Sequence, residues 1–254
     1  MPGVRVLMWH GFGERTDAQD PYHLFVTPDA FRAQLAHLAA RGARFLDTDA
    51  FMAGLETGEW PERSVLLTID DGYASTLHVA APILKEYHAP ALLFVPAGEV
   101  GSTSDWMSEM PDEPLLTADE LRELPAYGIE VGVHGMEHQR MPGMTADELR
   151  RNVDEARDLI ASITGTVPRT FAYPEGFFDD AARAAVERAG FVCAFSVHRA
   201  DGRYAVPRVD VNGTDTARTF GFKVSPWWPL AARVAAKTPR LRAALHRVVG
   251  SARR

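Results

Sequence analysis

Residues 65–72 read VLLTIDDG, an apolar run that ends in two adjacent carboxylates and a glycine. Short apolar runs that stop at a turn signal are typical of the buried strands of a parallel sheet. The same order recurs at residues 129–138, IEVGVHGMEH, where His134 and His138 follow a strand-like run. Each segment therefore predicts a strand whose carboxyl end carries ionisable side chains.

Strand-like and helix-like segments alternate along the rest of the chain. We predict strands at residues 4–10, 44–46, 65–70, 91–95, 129–133, 170–173 and 191–196, and helices at residues 28–41, 48–57, 74–87, 145–163 and 179–189. This serial pattern predicts an α/β fold with a mostly parallel sheet, either open or closed into a barrel. In a barrel the carboxyl ends of the strands meet at one mouth, so the ionisable groups are expected to converge there.

Length and charge divide the chain into two unequal parts. We predict a catalytic domain over residues 1–215 and a basic helical tail over residues 216–254, because nine of the 27 Lys and Arg and none of the 34 Asp and Glu lie after Thr216. Within this segment, the pair Trp227 and Trp228 precedes most of the basic residues. We expect it to contact a membrane surface or a phosphate-bearing lipid carrier peripherally, and we expect no nucleic acid partner. The structural alternatives are a solvated, partly frayed C-terminal helix and a helix that packs back onto the barrel.

Two further features bear on the compartment. The first residues lack a basic start followed by a long apolar region, and no stretch approaches ~18 uninterrupted apolar residues. We therefore predict a cytoplasmic protein. Cys193 is the only cysteine and lies in a strand-like run, which favours a packed thiol over a disulfide or a nucleophile.

The Asp pair and the His pair together favour a metal centre. One Asp and two His suit a divalent ion and leave coordination positions open for water and substrate. The other Asp can act as a base toward that water, which indicates metal-assisted hydrolysis. For the Asp pair alone, an Asp-Gly turn is the purely structural alternative.

Residues 134–138 also match the H-x-x-E-H pattern of inverzincin peptidases, in which Glu137 would be the base. That pattern lies on a helix, whereas here it follows a strand-like run and contains Gly135, a poor helix former. It also leaves the Asp pair unexplained. We therefore rank this interpretation below the first.

Three segments carry a resemblance to a known family. Residues 68–72, TIDDG, are similar to the T-F-D-D-G motif of the polysaccharide deacetylase family, the NodB-homology carbohydrate esterases. Residues 134–138 resemble its H-[ST]-x-x-H motif, and residues 171–176 resemble its third motif. The resemblance spans residues 6–213 and implies a distorted (β/α) barrel of the NodB-homology type.

The resemblance also implies roles for residues at these positions. It implies a divalent metal held by Asp71, His134 and His138, with Zn²⁺ expected and Co²⁺ or Ni²⁺ as alternatives. It assigns Asp70 as the general base toward the attacking water. The backbone amide of Glu175 would donate to the oxyanion of the tetrahedral intermediate.

The leaving amine needs a general acid. Residues 6–10, VLMWH, resemble the L-x-Y-H stretch of circularly permuted members such as poly-N-acetylglucosamine deacetylases, so we expect His10 to be the acid. His198 is the alternative later in the chain. Ala172 stands where the third motif usually has Arg, and we predict that Arg208 replaces that Arg from another strand.

Two more positions depart from the family pattern. Gly135 replaces the usual Ser or Thr, which removes a hydroxyl that would brace the His loop. Glu175 replaces the usual aromatic residue beside Pro174, which places an acid at the rim of the site. These changes bear on the substrate more than on the chemistry.

The resulting hypothesis is a metal-dependent hydrolase that removes an acetyl group from an N-acetylated sugar in a polysaccharide, a glycolipid intermediate or a small glycoside. One alternative is hydrolysis of another C–N bond, in a formamide or cyclic amide, on the same metal site. A second is a catalytically silent glycan-binding barrel. Four aromatic residues are candidates either for the sugar groove or for the core, namely Trp9, Tyr73, Trp106 and Tyr173.

Overall fold

The computed structural model describes residues 3–228 and 230–232 of the chain. Eight parallel strands in that part wrap into a nearly closed barrel. In the order in which neighbours share hydrogen bonds, the strands are β10 (Val206–Pro207), β9 (Cys193–Ser196), β8 (Thr170–Ala172), β7 (Ile129–Val133), β6 (Ala91–Val95), β5 (Ser64–Ile69), β1 (Val4–Trp9) and β11 (Val209–Asp210). The predicted (β/α) barrel of mostly parallel strands is confirmed.

One bent segment, residues 206–210, closes the ring. Its first half, β10, pairs with β9, and its second half, β11, pairs with β1. Arg208 stands at the break between the two halves, and its backbone amide donates to the carbonyl of Ser196 at 3.1 Å. The Arg208 side chain is fully buried inside the barrel. The closure therefore brings a cation from a distant part of the sequence close to the end of β5.

Helices cover the outside of the barrel. They are α1 (Pro28–Ala40), α2 (Thr48–Thr57), α3 (Ala81–Glu86), α4 (Ala118–Glu123), α5 (Ala146–Arg150), α6 (Ala156–Thr164), α7 (Asp180–Arg188) and α8 (Ala217–Lys223). Three short strands remain: β2 (Gly11–Phe12) pairs with β3 (Phe25–Val26), and β4 (Arg44–Phe45) pairs with β5. Capping boxes at Thr117 and Thr145 start α4 and α5 by satisfying backbone amides that have no partner within the helix.

Two helices that the sequence predicts as continuous are interrupted. A π-helical segment, Thr76–Ala80, precedes α3, and another, Arg151–Glu155, separates α5 from α6. A π turn accommodates an extra residue and changes the direction of the side chains that follow. The second π segment contains the buried Asn152, which contacts the functional site.

Apolar side chains form two layers, one inside the barrel and one between the strands and the helices. Cys193 belongs to the inner layer, and burial raises the pKa of its thiol to about 12. A thiol with such a pKa carries almost no thiolate at neutral pH, so the predicted packing role of Cys193 is confirmed.

The predicted basic tail is described only in part. Helix α8 falls within it, whereas residues 233–254 lie outside the described residues. The boundary at residue 215 stays a prediction. Across the described ranges, no helix combines the length and the apolar character that crossing a bilayer requires. The cytoplasmic location stays a prediction from the sequence.

Candidate active site

All of the predicted site residues except Arg208 line one cavity at the carboxyl ends of the strands. The cavity has a volume of about 530 Å³. Its lining includes His10 after β1, Asp70 and Asp71 after β5, His134 and His138 after β7, Trp106, Glu175 and His198. A second cavity of about 420 Å³ is lined by residues at the amino ends of β6 and β7, where the charges of Glu130 and Arg169 pair with each other. The ionisable side chains expected to act together therefore meet in the first cavity.

Asp71, His134 and His138 each offer a ligand atom, and these atoms lie within 4.8 Å of one another. The carboxylate Oδ1 of Asp71 is 3.5 Å from Nε2 of His134 and 3.1 Å from Nε2 of His138. Burial would raise the pKa of the Asp71 carboxyl, but the two imidazoles outweigh burial and hold it well below its usual range. Asp71 is therefore an anion under ordinary conditions.

The protonation of His134 suits metal binding. Its Nδ1 lies 2.8 Å from the carbonyl oxygen of Ala172, which can only accept a hydrogen bond. This assigns the proton to Nδ1 and leaves the lone pair of Nε2 directed at Asp71. A carbonyl that holds the distal ring nitrogen is the usual support of a metal-ligating histidine.

The backbone at Asp71 explains how two adjacent carboxylates reach one cavity. In a regular strand successive side chains point to opposite faces. Here Asp71 has φ 73° and Gly72 has φ 74°, so two consecutive left-handed residues turn the chain sharply after β5. Asp tolerates this conformation better than most residues. The strain, of order 1–3 kcal/mol for a residue without this tolerance, is typical of functional sites.

Asp70 makes the strongest ion pair of the site. Its Oδ1 and Oδ2 accept from Nη1 and Nη2 of Arg208, each at 2.6 Å, and both side chains are almost completely buried. Burial alone would raise the pKa of Asp70, but the charge of Arg208 and of the nearby imidazoles lowers it below its usual value. Ala172 at the end of β8 stands where the family motif usually has Arg. The guanidinium that pairs with Asp70 comes instead from Arg208 in the closing segment.

His10 extends the site on the side of β1. Its Nδ1 is buried and has no hydrogen-bond partner among the described residues. Asp210, at the end of the neighbouring β11, lines the same cavity. His198 lies elsewhere on the cavity wall, with its ring 4.3 Å from that of Phe177, and burial lowers its pKa. Both candidate acids therefore face the cavity.

Glu175 lies at the rim in a left-handed conformation, with φ 54°. Its carboxylate accepts from Nε of Arg140 at 2.6 Å, and the Arg140 guanidinium lies over the ring of Phe177. The side chain is therefore paired with Arg140 at the rim of the cavity. The role of its backbone amide as an oxyanion donor stays a prediction.

The four aromatic candidates fall into two groups. Trp106 lines the cavity and stacks on the ring of His138, with centroids 4.7 Å apart. Trp9 is buried and donates to the side chain of Gln34, Tyr173 is buried and donates to the carbonyl of Tyr204, and Tyr73 packs against Phe25. Trp106 is thus a groove residue and the other three belong to the core.

Two loops form one wall of the cavity. Arg15 donates to both carboxylate oxygens of Glu113 at 2.7 Å, and Tyr22 contacts Glu109. These contacts join residues 13–24 to residues 101–116. The sequence gave no signal for this pairing, because it depends on the closure of the barrel.

A residue that the sequence did not reveal supports the His loop. The side-chain oxygen of Asn152 accepts from the backbone amide of Met136 at 3.0 Å. Gly135 has φ 79°, and a Cβ there would lie 3.3 Å from that same Asn152 oxygen. The missing Ser or Thr hydroxyl is therefore replaced by a brace from the π segment.

The peptidase interpretation of residues 134–138 is wrong. These residues follow β7 without forming a helix, which the H-x-x-E-H arrangement needs. Glu137 is paired with Arg151 on the outside and does not line the cavity as a base would.

Comparison with known proteins agrees with this geometry. A family model described as polysaccharide deacetylase matches residues 57–194, slightly more than half of the chain. A putative polysaccharide deacetylase of Bacillus subtilis is 23% identical over 222 residues, covering 85% of this chain and 74% of that protein. A poly-beta-1,6-N-acetyl-D-glucosamine N-deacetylase of Staphylococcus epidermidis is 29% identical over 200 residues, covering 74% and 68%.

Solved structures show the same fold. The deacetylase PplD of Streptococcus pyogenes, in complex with acetate, superposes with a TM-score of 0.78 at 22% identity, covering 88% of this chain and 98% of that one. IcaB from Ammonifex degensii gives a TM-score of 0.72 at 24% identity, covering 89% and 96%. The family expected from the motifs, and with it the carbohydrate deacetylase class, is confirmed. The chain belongs to the polysaccharide deacetylase family.

Proposed function

We propose that this protein is a metal-dependent hydrolase that removes acetyl groups from an N-acetylated sugar. The observation that carries the proposal is the meeting of Asp71, His134 and His138 with Asp70 in one cavity. Arg208 pairs with Asp70 from inside the barrel. The curated relatives include deacetylases of poly-N-acetylglucosamine, so this polymer and its oligomers are the substrates to test first.

The donor set fits a divalent metal. Two imidazoles and one carboxylate suit Zn²⁺, with Co²⁺ or Ni²⁺ as alternatives. When bound, such an ion polarises the acetyl carbonyl and makes water more acidic. The buried Oδ1 of Asp71 makes no hydrogen bond of good geometry, although Nε2 of His138 lies 3.1 Å away, and this supports the assignment.

The protein's own groups then divide the proton transfers. Asp70, kept ionised by Arg208, accepts the proton of the attacking water. His10 donates a proton to the leaving amine, and the backbone amide of Glu175 donates a hydrogen bond to the developing oxyanion. Amide hydrolysis requires a base for the attacking water and an acid for the leaving amine. Asp70 after β5 and His10 after β1 would supply these two groups.

Metal content and acetate release test the proposal together. We expect wild type to hold near one equivalent of Zn, Co or Ni by plasma mass spectrometry, and His138→Ala to lose it because one of three ligands is gone. His198→Ala is the matched control, since His198 lines the same cavity outside the ligand set. Metal-dependent acetate release from N-acetylglucosamine oligomers would support the deacetylase.

Other outcomes lead to the alternatives. Bound metal with turnover of formamides or cyclic amides, and none of N-acetylated sugars, would shift the assignment to another C–N hydrolase. Equal glycan affinity with and without metal, and no turnover, would indicate a glycan-binding barrel. A reconstituted protein without metal would contradict the central argument.

The role of His10 predicts a dependence on the leaving group. We expect His10→Ala to slow hydrolysis of N-acetylated sugars by about 10²–10⁴-fold, because an amine leaves only when protonated. Activated acetate esters should lose much less, since their leaving group needs no proton. Parallel kcat/KM measurements on both substrates check this. If His198→Ala shows the selective loss instead, the acid is His198.

We also propose that the basic C-terminal segment makes a peripheral contact with an anionic lipid surface. Nine Lys and Arg and no Asp or Glu follow Thr216, which favours such a contact over one with a cationic partner.

A further inference from the structure

The segment that leads to the basic tail leaves the barrel at the end opposite the active site. Arg5, near the start of β1, donates from Nη2 to the carbonyl of Ser225 at 3.1 Å. His10 follows the other end of the same strand and lines the cavity. Because a strand rises ~3.3 Å per residue, the two ends of β1 are about 16 Å apart along the strand, which is about 13 Å along the axis of a barrel with tilted strands.

A buried ion pair links the end of helix α8 to the residue just before its N-cap, and an aromatic contact joins the helix to α1. Nζ of Lys223 donates to Oδ2 of Asp215 at 2.7 Å, and both side chains are almost completely buried. Phe220 of the same helix packs edge-on against His37 of α1. The residues after Ser225 therefore start from a defined place at the amino ends of the strands.

Two large apolar side chains at that place face solvent. Trp227 is 70% exposed and Leu230 is 61% exposed. Among the described residues, Val167 is the other large apolar side chain that is exposed. The amide of Ala231 donates to the carbonyl of Trp227 at 3.0 Å, so a helical turn begins here. Side chains three residues apart lie on the same side of such a turn. Trp227 and Leu230 thus form one exposed apolar patch.

The sequence that follows supplies the matching charge. Residues 233–254 contain seven Lys and Arg and no Asp or Glu. Tryptophan favours the interface between lipid head groups and acyl chains, and nearby basic residues are attracted to anionic head groups. An apolar patch next to a wholly basic segment fits an anionic bilayer surface better than a neutral protein surface.

We propose that the protein docks on an anionic lipid bilayer through Trp227 and Leu230, next to the basic sequence that follows, with the mouth of the barrel facing away from the membrane. The head-group region of one leaflet is only about 5–8 Å deep. The mouth would therefore stand beyond the head groups. If the protein is the proposed deacetylase, its substrate is then a glycan that extends from the membrane surface, rather than the first sugar of a lipid-linked intermediate.

Vesicle sedimentation with the full chain tests the docking. We expect binding to vesicles of phosphatidylcholine mixed with phosphatidylglycerol and not to phosphatidylcholine alone, with weaker binding at high salt. The double variant Trp227→Ser/Leu230→Ser should bind about tenfold less or weaker still, because it removes the apolar contribution. Trp106→Ser, at the mouth of the barrel, is the matched control and should bind as wild type does. Equal binding by the double variant would overturn the proposal.

Fluorescence quenching by brominated phosphatidylglycerol tests the orientation. Trp227→Phe should remove much of the quenching, whereas Trp106→Phe, at the mouth, should leave it unchanged. The opposite pattern would place the mouth on the membrane and contradict the inference.

Acetate release separates this inference from the proposed function. We expect soluble oligomers to be deacetylated equally with and without vesicles, and a short lipid-linked N-acetylated sugar in the vesicles not to be preferred. Preference for the embedded substrate would overturn the orientation. Absence of any turnover would contradict the deacetylase proposal and leave the vesicle and quenching results unaffected, since neither depends on catalysis.

Discussion

Replacing Asp70 by Asn is expected to lower turnover by about 10²–10⁴-fold, the contribution typical of a general base, while leaving the metal content unchanged. Asn keeps the size of the side chain and one oxygen that can accept from Arg208, but it cannot take a proton from water. The three proposed ligands, Asp71, His134 and His138, are untouched. Acetate release checks the loss of turnover, and metal analysis of the same preparation checks that the metal content is unchanged.

The neighbouring carboxylate provides the matched control. Asp71→Asn should lose metal together with activity, because Asp71 belongs to the ligand group. If Asp70→Asn also loses its metal, Asp70 is a ligand. The distance permits this outcome, because Oδ2 of Asp70 lies 3.8 Å from Nε2 of His134. A rate near wild type in Asp70→Asn would show that another group is the base.

The placement of these groups could be predicted from the sequence because it follows from topology. Apolar runs identified β5 and β7, and parallel strands bring their carboxyl ends to one mouth. Asp70, Asp71, His134 and His138 had to meet there whatever the details of the helices between them. The family motifs added the roles that the pattern alone left open.

Other features depend on local geometry that no pattern encodes. Asn152 reaches the His loop because a π segment interrupts a helix whose sequence reads as continuous. Trp106 lies in a loop without periodicity, so its stacking on His138 had no signal in the spacing of apolar residues. Tyr173 was a candidate for either the groove or the core. It is buried in the core, where its hydroxyl donates to the carbonyl of Tyr204.

Arg208 lies between these two cases. The absence of Arg at Ala172 implied that another cation must serve Asp70, and Arg208 was the predicted substitute. Its paired contact with Asp70 exists because residues 206–210 change partner from β9 to β1 at this residue. That bend depends on the closure of the whole barrel, and a single sequence does not show it.

Replacing Arg208 by Gln is expected to lower the free energy of unfolding by about 3–5 kcal/mol, because it leaves the buried carboxylate of Asp70 without its counter-charge. Arg208→Lys should lose less, since the charge remains but the paired geometry does not. Arg169→Gln is the matched control: Arg169 also makes two contacts with a carboxylate, that of Glu130, but its side chain is 41% exposed. Urea unfolding should show a change of about 0–1 kcal/mol there.

A pH profile separates a positioning role from a merely structural one. Arg208 lowers the pKa of Asp70 against burial, which acts to raise it, so removing the guanidinium must raise that pKa. A general base works only when ionised, and a raised pKa means that protonation abolishes activity at a higher pH than in wild type. We therefore expect the acid limb of the kcat/KM profile to move to higher pH in Arg208→Gln, to move less in Arg208→Lys and to stay in place in Arg169→Gln. An Arg208→Gln protein that is less stable but keeps the wild-type acid limb would show that Arg208 holds the barrel closed without tuning the base. The Arg208–Asp70 pair lies where the closing segment changes its partner strand. If Arg208→Gln changes both the free energy of unfolding and the acid limb, this one contact links barrel closure to the ionisation of Asp70.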